Sequence, residues 1–192
     1  MQDNRFLKYN AGMSKSLLEQ KNLFPADYTV IDIETTGLAC DRCEIIELSA
    51  VKVRDYKVVE KFSTLVKPTK RINSFITSLT GISNEMVDNA ASIHSVLPDF
   101  IKFLSNDILL GHNVSFDLRF IKHNLKKYFN SDIDNKSLDT MRISRKFNKV
   151  LKSHKLETLA NHYNVSTEGH HRALNDCIMT HEIYLNLKQN FS

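Results

Sequence analysis

The sequence predicts an α/β domain built on a mixed five-stranded sheet, three antiparallel strands followed by parallel ones, with helices on its flanks. Three observations carry that prediction. Strand-like runs follow one another at 28–34, 44–53 ("EIIELSAVKV") and 58–66 ("VVEKFSTLV"), separated by short polar loops. Beyond Pro68 the periodicity becomes helical, interrupted by two short strand-like segments, "DILLGH" and "KSLDT". The chain has 192 residues, of which 42% are hydrophobic and 25% charged, enough for one domain with a substantial core.

Taken in order, residues 1–27 read as an N-terminal extension in which "SKSLLEQKNLF" suits a short helix ending before Pro25. The domain proper spans 28–192. Its first three strands are close enough in sequence to form an antiparallel meander. Short helices are expected at 73–79 and 83–88 and a longer one over 92–105. A buried strand at 107–112 leads into a helix over 114–127, and "KSLDT" into one near 140–147. Helices at 155–163 and 173–189 complete the chain. Three antiparallel strands and then strands alternating with helices give a ribonuclease H-like topology.

Composition narrows the function classes. Five Gly and three Pro leave no low-complexity linker, and the net charge of +4 permits a polyanionic partner without requiring one. Three cysteines, an odd number, argue against a disulfide framework. Cys40 and Cys43 form a C-x-x-C that lacks the second half of a zinc site, and reads as a surface loop with incidental thiols. No apolar run reaches membrane-spanning length and no leader-like segment opens the chain, so a cytoplasmic protein without a membrane partner is expected.

The chemistry concentrates in acids. In "TVIDIETTGLA", Asp32 and Glu34 interrupt an apolar strand and, two residues apart, project to the same face. Two such carboxylates repel unless protonated, paired with a base from elsewhere in the chain, or bridged by a cation. In "GHNVSFDLRF", a strand ends at Gly111, Asn113 can cap the next helix and Asp117 falls in its first turn. Complementarity to the helix dipole would by itself account for an acid there. In "GHHRALNDC", His171 precedes Asp176 by five residues, near the start of the last helix. Alone, that His–Asp pair would pass for a surface feature.

Together and in this order, these motifs resemble the DEDDh family of 3′→5′ exonucleases, over about Tyr28–Tyr184. "DIETTGL" matches the first motif, "GHNVSFD" the second and "HHRALND" the third, and "LTGIS" and "SLDTMRISR" resemble the proofreading exonucleases of bacterial DNA polymerase III. The resemblance implies that Asp32, Glu34, Asp117 and Asp176 hold two divalent cations, Mg²⁺ or Mn²⁺, and that His171 rather than its neighbour His170 is the general base. Such ions, about 3.5–4 Å apart, clamp the attacking and leaving oxygens of an in-line displacement. It further implies that Thr35, Thr36, Gly37 and Leu38 hold the terminal nucleotide, with His112, Asn113 and Phe116 beside it. Core packing is the competing reading for Leu38 and Phe116. The expected substrate is a DNA 3′ end, single-stranded or frayed, converted to 5′-mononucleotides, with a DNA polymerase as a candidate partner. Thr35, where oligoribonucleases usually carry Met, leans toward DNA; an exoribonuclease or an inactive nucleic-acid-binding module are the alternatives.

One further stretch is distinctive. "TMRISRKFNKVLKSHKL", between Asp139 and Glu157, carries Arg142, Arg145, Lys146, Lys149, Lys152 and Lys155 with no acid. It reads either as a solvated loop between helices or as a surface for backbone phosphates, whose contacts are salt-dependent and indifferent to sequence.

Overall fold

The computed structural model describes residues 24–191. The helix expected within 14–24 falls almost entirely outside them. Strands β1 (Tyr28–Thr35), β2 (Ile45–Arg54) and β3 (Lys57–Leu65) form the antiparallel meander, and β4 (Leu109–Gly111) and β5 (Ser137–Asp139) join parallel to β1. The sheet order is β3-β2-β1-β4-β5, the mixed five-stranded arrangement the sequence predicts. Helices α1 (Ser74–Thr80), α2 (Asn84–Val87), α3 (Ile93–Leu104), α4 (Ser115–Phe129), α5 (Thr140–Phe147), α6 (Leu156–His162) and α7 (Ala173–Phe191) complete the fold. The strand expected over 107–112 shrinks to three residues, because β4 pairs with β1 only at Thr29 and Val30.

Strand alternation sorts the core into two layers. Tyr28 and Val30 of β1, with Val51 and Val53 of β2, pack on the α7 side against Cys177, Ile183, Tyr184 and Leu187. Ile31 and Ile33 face the opposite way, toward Leu97 and Phe100 of α3 and Phe120 and Ile121 of α4. The buried stripe of α7, Ala173, Asp176, Cys177, Thr180, Tyr184 and Leu187, recurs at the three- and four-residue spacing of one helix face. Asp32 and Glu34 therefore continue the row begun by Tyr28 and Val30, on the face that α7 covers. Phe24 is buried in that layer too, its ring 5.5 Å from Tyr184, and the Tyr184 hydroxyl donates to the Pro25 carbonyl.

Two local features aim this frame at one place. The ladder between β1 and β2 shifts register after Glu34, where Thr35 pairs with Ile45. The chain then leaves the sheet into the 35–38 turn. On the neighbouring strand, β4 ends at Gly111 and α4 follows within four residues. Acids from β1 and α4 thus meet at the carboxyl edge of the parallel strands, where open α/β sheets place their ligands.

Candidate active site

The acids converge. Carboxylate oxygens of Asp32, Glu34 and Asp176 all lie within 4.8 Å of one another. Asp117 joins them through the backbone: its Oδ1 accepts the Ile33 N–H at 3.2 Å, between the two acids of β1. Asp117 and Asp176 are buried, and Asp32 and Glu34 half-buried with their carboxyl groups turned inward. Burial first, and then the neighbouring acids, hold Asp32 well above the usual carboxylate range. The same causes push Glu34 up to about 8, and burial raises Asp117 to about 8. Asp176 is raised by burial, against the opposing pull of His170.

These values describe a knot of negative charge with too little compensation, and hard oxygen donors in that arrangement suit divalent cations such as Mg²⁺. The residues present fit that group. A base from elsewhere in the chain, the alternative left open by the sequence, does reach the site but serves another acid. Arg172 pairs with Glu47 of β2, its Nη2 donating at 2.8 Å and its Nε at 3.2 Å. Glu47 also accepts the Ala173 N–H at 3.0 Å, which ties the start of α7 to the sheet. Glu47 and Glu34 are cross-strand partners, so this pair of a buried acid and a half-exposed arginine lies directly beside the acid cluster. Nothing in the sequence pattern singles Glu47 out; "EIIELSAVKV" reads as a strand with two ordinary acids, Glu44 and Glu47.

The two histidines take different places. His170 Nδ1 sits 2.8 Å from Asp176 Oδ1, and its ring stacks on that of His171 with centroids 3.8 Å apart. His171 is exposed, with φ of 68°, a left-handed conformation that turns its side chain out of the start of α7. Burial and then the neighbouring His170 ring hold its pKa below the usual imidazole value. His171 is therefore neutral at pH 7 and free to accept a proton. His170, His171 and Asp176 also bring ligand atoms within 4.8 Å of each other, sharing Asp176 with the acid cluster.

The 35–38 turn is held from behind. Thr35 Oγ1 donates to the Gly37 carbonyl, and Thr36 exchanges two bonds with Glu44, N–H to carbonyl at 2.8 Å and hydroxyl from N–H at 2.9 Å. A Cβ on Gly37 would lie 2.7 Å from Cys43 Sγ, so a larger residue there would displace the Cys43 side chain that closes on the turn. Leu38 is 81% exposed at the tip, which removes core packing as its explanation. Phe116 is only partly buried, its ring tilted by 47° against that of Phe120 with the Arg119 guanidinium 5.7 Å from it.

His112 and Asn113 depart from the simplest reading. Asn113 makes no side-chain cap; the N-cap of α4 is Val114, without a capping bond, and Asn113 adopts φ of 65°. Its backbone N–H donates to Asp139, whose Oδ1 also accepts the Met141 and Arg142 N–H groups and so caps α5. One carboxylate fixes both the 111–113 turn and the next helix. His112 is largely enclosed. Thr140 donates to the Gly111 carbonyl, so His112 Nδ1–H donates to Thr140 at 2.9 Å and leaves Nε2 buried without a partner among the described residues. Burial pushes the His112 pKa down to about 4. The cations of 142–155 lie on α5 and the loop after it, all six exposed.

A family model described as Exonuclease, RNase_T, matches residues 29–184. The chain belongs to this exonuclease family. It is 39% identical over 173 residues to the DNA polymerase III subunit epsilon of Aquifex aeolicus, covering 90% of this chain and 86% of that protein. It is 43% identical over 169 residues to the PolC-type DNA polymerase III of Caldanaerobacter subterraneus subsp. tengcongensis, covering 88% of this chain but only 12% of that polymerase. Its fold matches Exonuclease X in complex with 5′-overhanging duplex DNA, with a TM-score of 0.68 and 24% identity over 85% of this chain and 92% of the other. It also matches the nuclease domain of 3′hExo, a DEDDh family member bound to rAMP, with a TM-score of 0.73 and 22% identity over 86% of this chain and 93% of the other. The DEDDh resemblance and the ribonuclease H-like fold are both borne out, and members of this family are divalent-metal-dependent hydrolases. Among the described residues no helix is long and apolar enough to cross a membrane.

Proposed function

We propose that this exonuclease removes nucleotides one at a time from DNA 3′ ends, single-stranded or frayed, and releases 5′-mononucleotides beside a DNA polymerase in the cytoplasm. The observation that carries the reading is the convergence of Asp32, Glu34 and Asp176, with Asp117 locked to the Ile33 N–H between them. The relatives named as DNA polymerase III subunits favour DNA over RNA.

In this reading Asp32, Glu34, Asp117 and Asp176 hold Mg²⁺ or Mn²⁺, which stabilise negative charge on the attacking and leaving oxygens of the phosphodiester. His171, neutral at pH 7 and exposed at the rim, takes the proton from the attacking water. His170 orients Asp176 through its 2.8 Å contact. The 35–38 turn receives the terminal nucleotide, with Leu38 projecting against its base and the backbone of Gly37 free of any side chain. His112, with its pKa near 4, stays neutral and braces the 111–113 turn from below, leaving Asn113 and Phe116 facing the substrate side. The exposed cations of 142–155 raise affinity for any polynucleotide.

Incubation with end-labelled single-stranded DNA and RNA in Mg²⁺, Mn²⁺ or chelator tests the reading. The expected result is a ladder of DNA products shortened from the 3′ end, 5′-mononucleotide release, and silence in chelator. Efficient cutting of a circular single strand would show an endonuclease, and faster loss of RNA would assign an exoribonuclease.

A further inference from the structure

A cavity of about 450 Å³ opens between the 40–45 loop and the second half of α4. Arg42, Lys67, Lys70, His123 and Lys127 line it, against two acids, Asp41 and Glu44. The charges on its walls are not equally available. Glu44 spends its carboxylate on the Thr69 and Lys70 N–H groups at 3.0–3.2 Å. Asp41 lies 3.7 Å from Arg42, and Lys67 is committed to Asp88 through its carbonyl and, at 3.7 Å, its carboxylate. Among the described residues Lys70 and Lys127 have no carboxylate within salt-bridge distance, and both are exposed.

The cavity is built into the same framework as the site. Glu44 bonds the backbone of Thr36 on one side and of Thr69 and Lys70 on the other, so the nucleotide turn and the cavity wall share one hinge residue. On the opposite wall α4 carries Asp117 in its first turn, with His123 and Lys127 about 9 and 15 Å further along the axis at 1.5 Å per residue. That span corresponds to roughly three to four stacked nucleotides at about 3.4 Å each. The basic segment 142–155 contributes to none of these walls.

We propose that this cavity holds the sugar–phosphate backbone a few nucleotides upstream of the scissile bond, with Lys70 and Lys127 as its phosphate contacts. The inference rests on the exonuclease reading and adds a second anchoring point to it, which sets how strongly the enzyme prefers long strands over short ones.

The test is the double variant Lys70→Ala/Lys127→Ala of the full chain, its fold checked by circular dichroism. Substrates are a 20-nucleotide oligo(dT) and the p-nitrophenyl ester of thymidine 5′-phosphate, which has no upstream phosphates. The ratio of kcat/KM for the oligonucleotide to that for the ester should fall at least fivefold, through KM. Binding of oligo(dT) by fluorescence anisotropy in Ca²⁺ should lose about 1.4 from the slope of log K against log salt, two phosphates at about 0.7 each. An unchanged ratio and slope would overturn the cavity proposal while wild-type digestion still upheld the exonuclease reading. An equal loss on both substrates would overturn it too, by placing the effect at the acid cluster. A wild-type enzyme that digests neither DNA nor RNA would sink the exonuclease reading itself.

Discussion

Strand β1 meets acids at both of its ends, and they are treated in opposite ways. Near its start, Asp107 accepts Arg54 Nη2 on both oxygens at 2.7 and 2.9 Å and the Thr29 hydroxyl at 2.6 Å. Near its end, Asp32 and Glu34 face Asp117 and Asp176 and, among the described residues, have no comparable partner. Glu47, directly across from Glu34, belongs with the first kind: it is buried but carries Arg172 on it. Acids that fasten elements together come with their counter-charge built in. The acids left unpaired gather where the sheet edge opens, and that contrast marks the functional end of the strand.

Alanine substitution separates the two kinds of acid by the widest margin. Asp32→Ala or Asp176→Ala should lower kcat by at least about 10³-fold with the melting temperature held or raised, since each variant relieves the crowding of desolvated acids. Asp107→Ala should do the reverse, costing about 1–2 kcal/mol of stability with turnover preserved, because its pair is partly exposed. Steady-state rates on end-labelled DNA and thermal melts of the three variants decide it. A catalytically normal Asp32→Ala enzyme would end the argument.

Next in size is the histidine pair. His171→Ala should lower kcat by roughly 10²–10⁴-fold, as removal of a general base does. His170→Ala should cost less, though not nothing, because Asp176 loses its 2.8 Å partner. The reverse ranking in single-turnover kinetics would exchange the two roles.

Removing Arg172 turns a fastened acid into an unfastened one. Arg172→Met leaves the Glu47 carboxylate buried beside the acid cluster without its cation, a loss of about 2–3 kcal/mol once the 39% exposure of the arginine is allowed for. Arg172→Met/Glu47→Gln should recover much of that, since the orphaned charge goes with it. Urea titrations of single and double variants measure the recovery, and strict additivity would mean that the pair is not coupled.

How much of this was legible follows from the range of each signal. The meander, the α5 boundaries at Thr140–Phe147 and the position of Asp176 one turn into α7 come from local periodicity, and the structure has them where the pattern puts them. Strand alternation put Asp32 and Glu34 on one face, and the resemblance to the DEDDh family implied that Asp117 and Asp176 join them there. The Glu47–Arg172 pair joins residues 125 apart, and no local pattern announces it. Asp139 escaped notice for a related reason: "SLDT" reads as a strand end, while its carboxylate works across to Asn113 on a different loop. Asn113 looked like a helix cap by residue type; the tight exit from β4 instead needs a left-handed residue there, a conformation asparagine tolerates better than most. Tertiary partners of local acids are what sequence spacing conceals.

The smallest expected effect is also the one that separates the two kinds of acid by pH alone. Glu34 and Asp117 are held near 8 in the folded protein, and Asp32 is raised as well. Between their ordinary values near 4 and these raised ones, the folded state binds more protons than the unfolded state. Stability therefore falls as pH rises through that window, and the loss is complete above about 8. Divalent cations compete for the same oxygens, so they should stabilise more at pH 8 than at pH 5.5. In chelator the melting temperature should drop by several degrees between pH 5.5 and 8.5. Saturating Mg²⁺ should erase most of that drop. Asp32→Asn/Glu34→Gln should flatten both curves. A metal-free melting temperature that climbs with pH would mean that the four acids are already compensated within the chain, and the contrast between the two ends of β1 would fail.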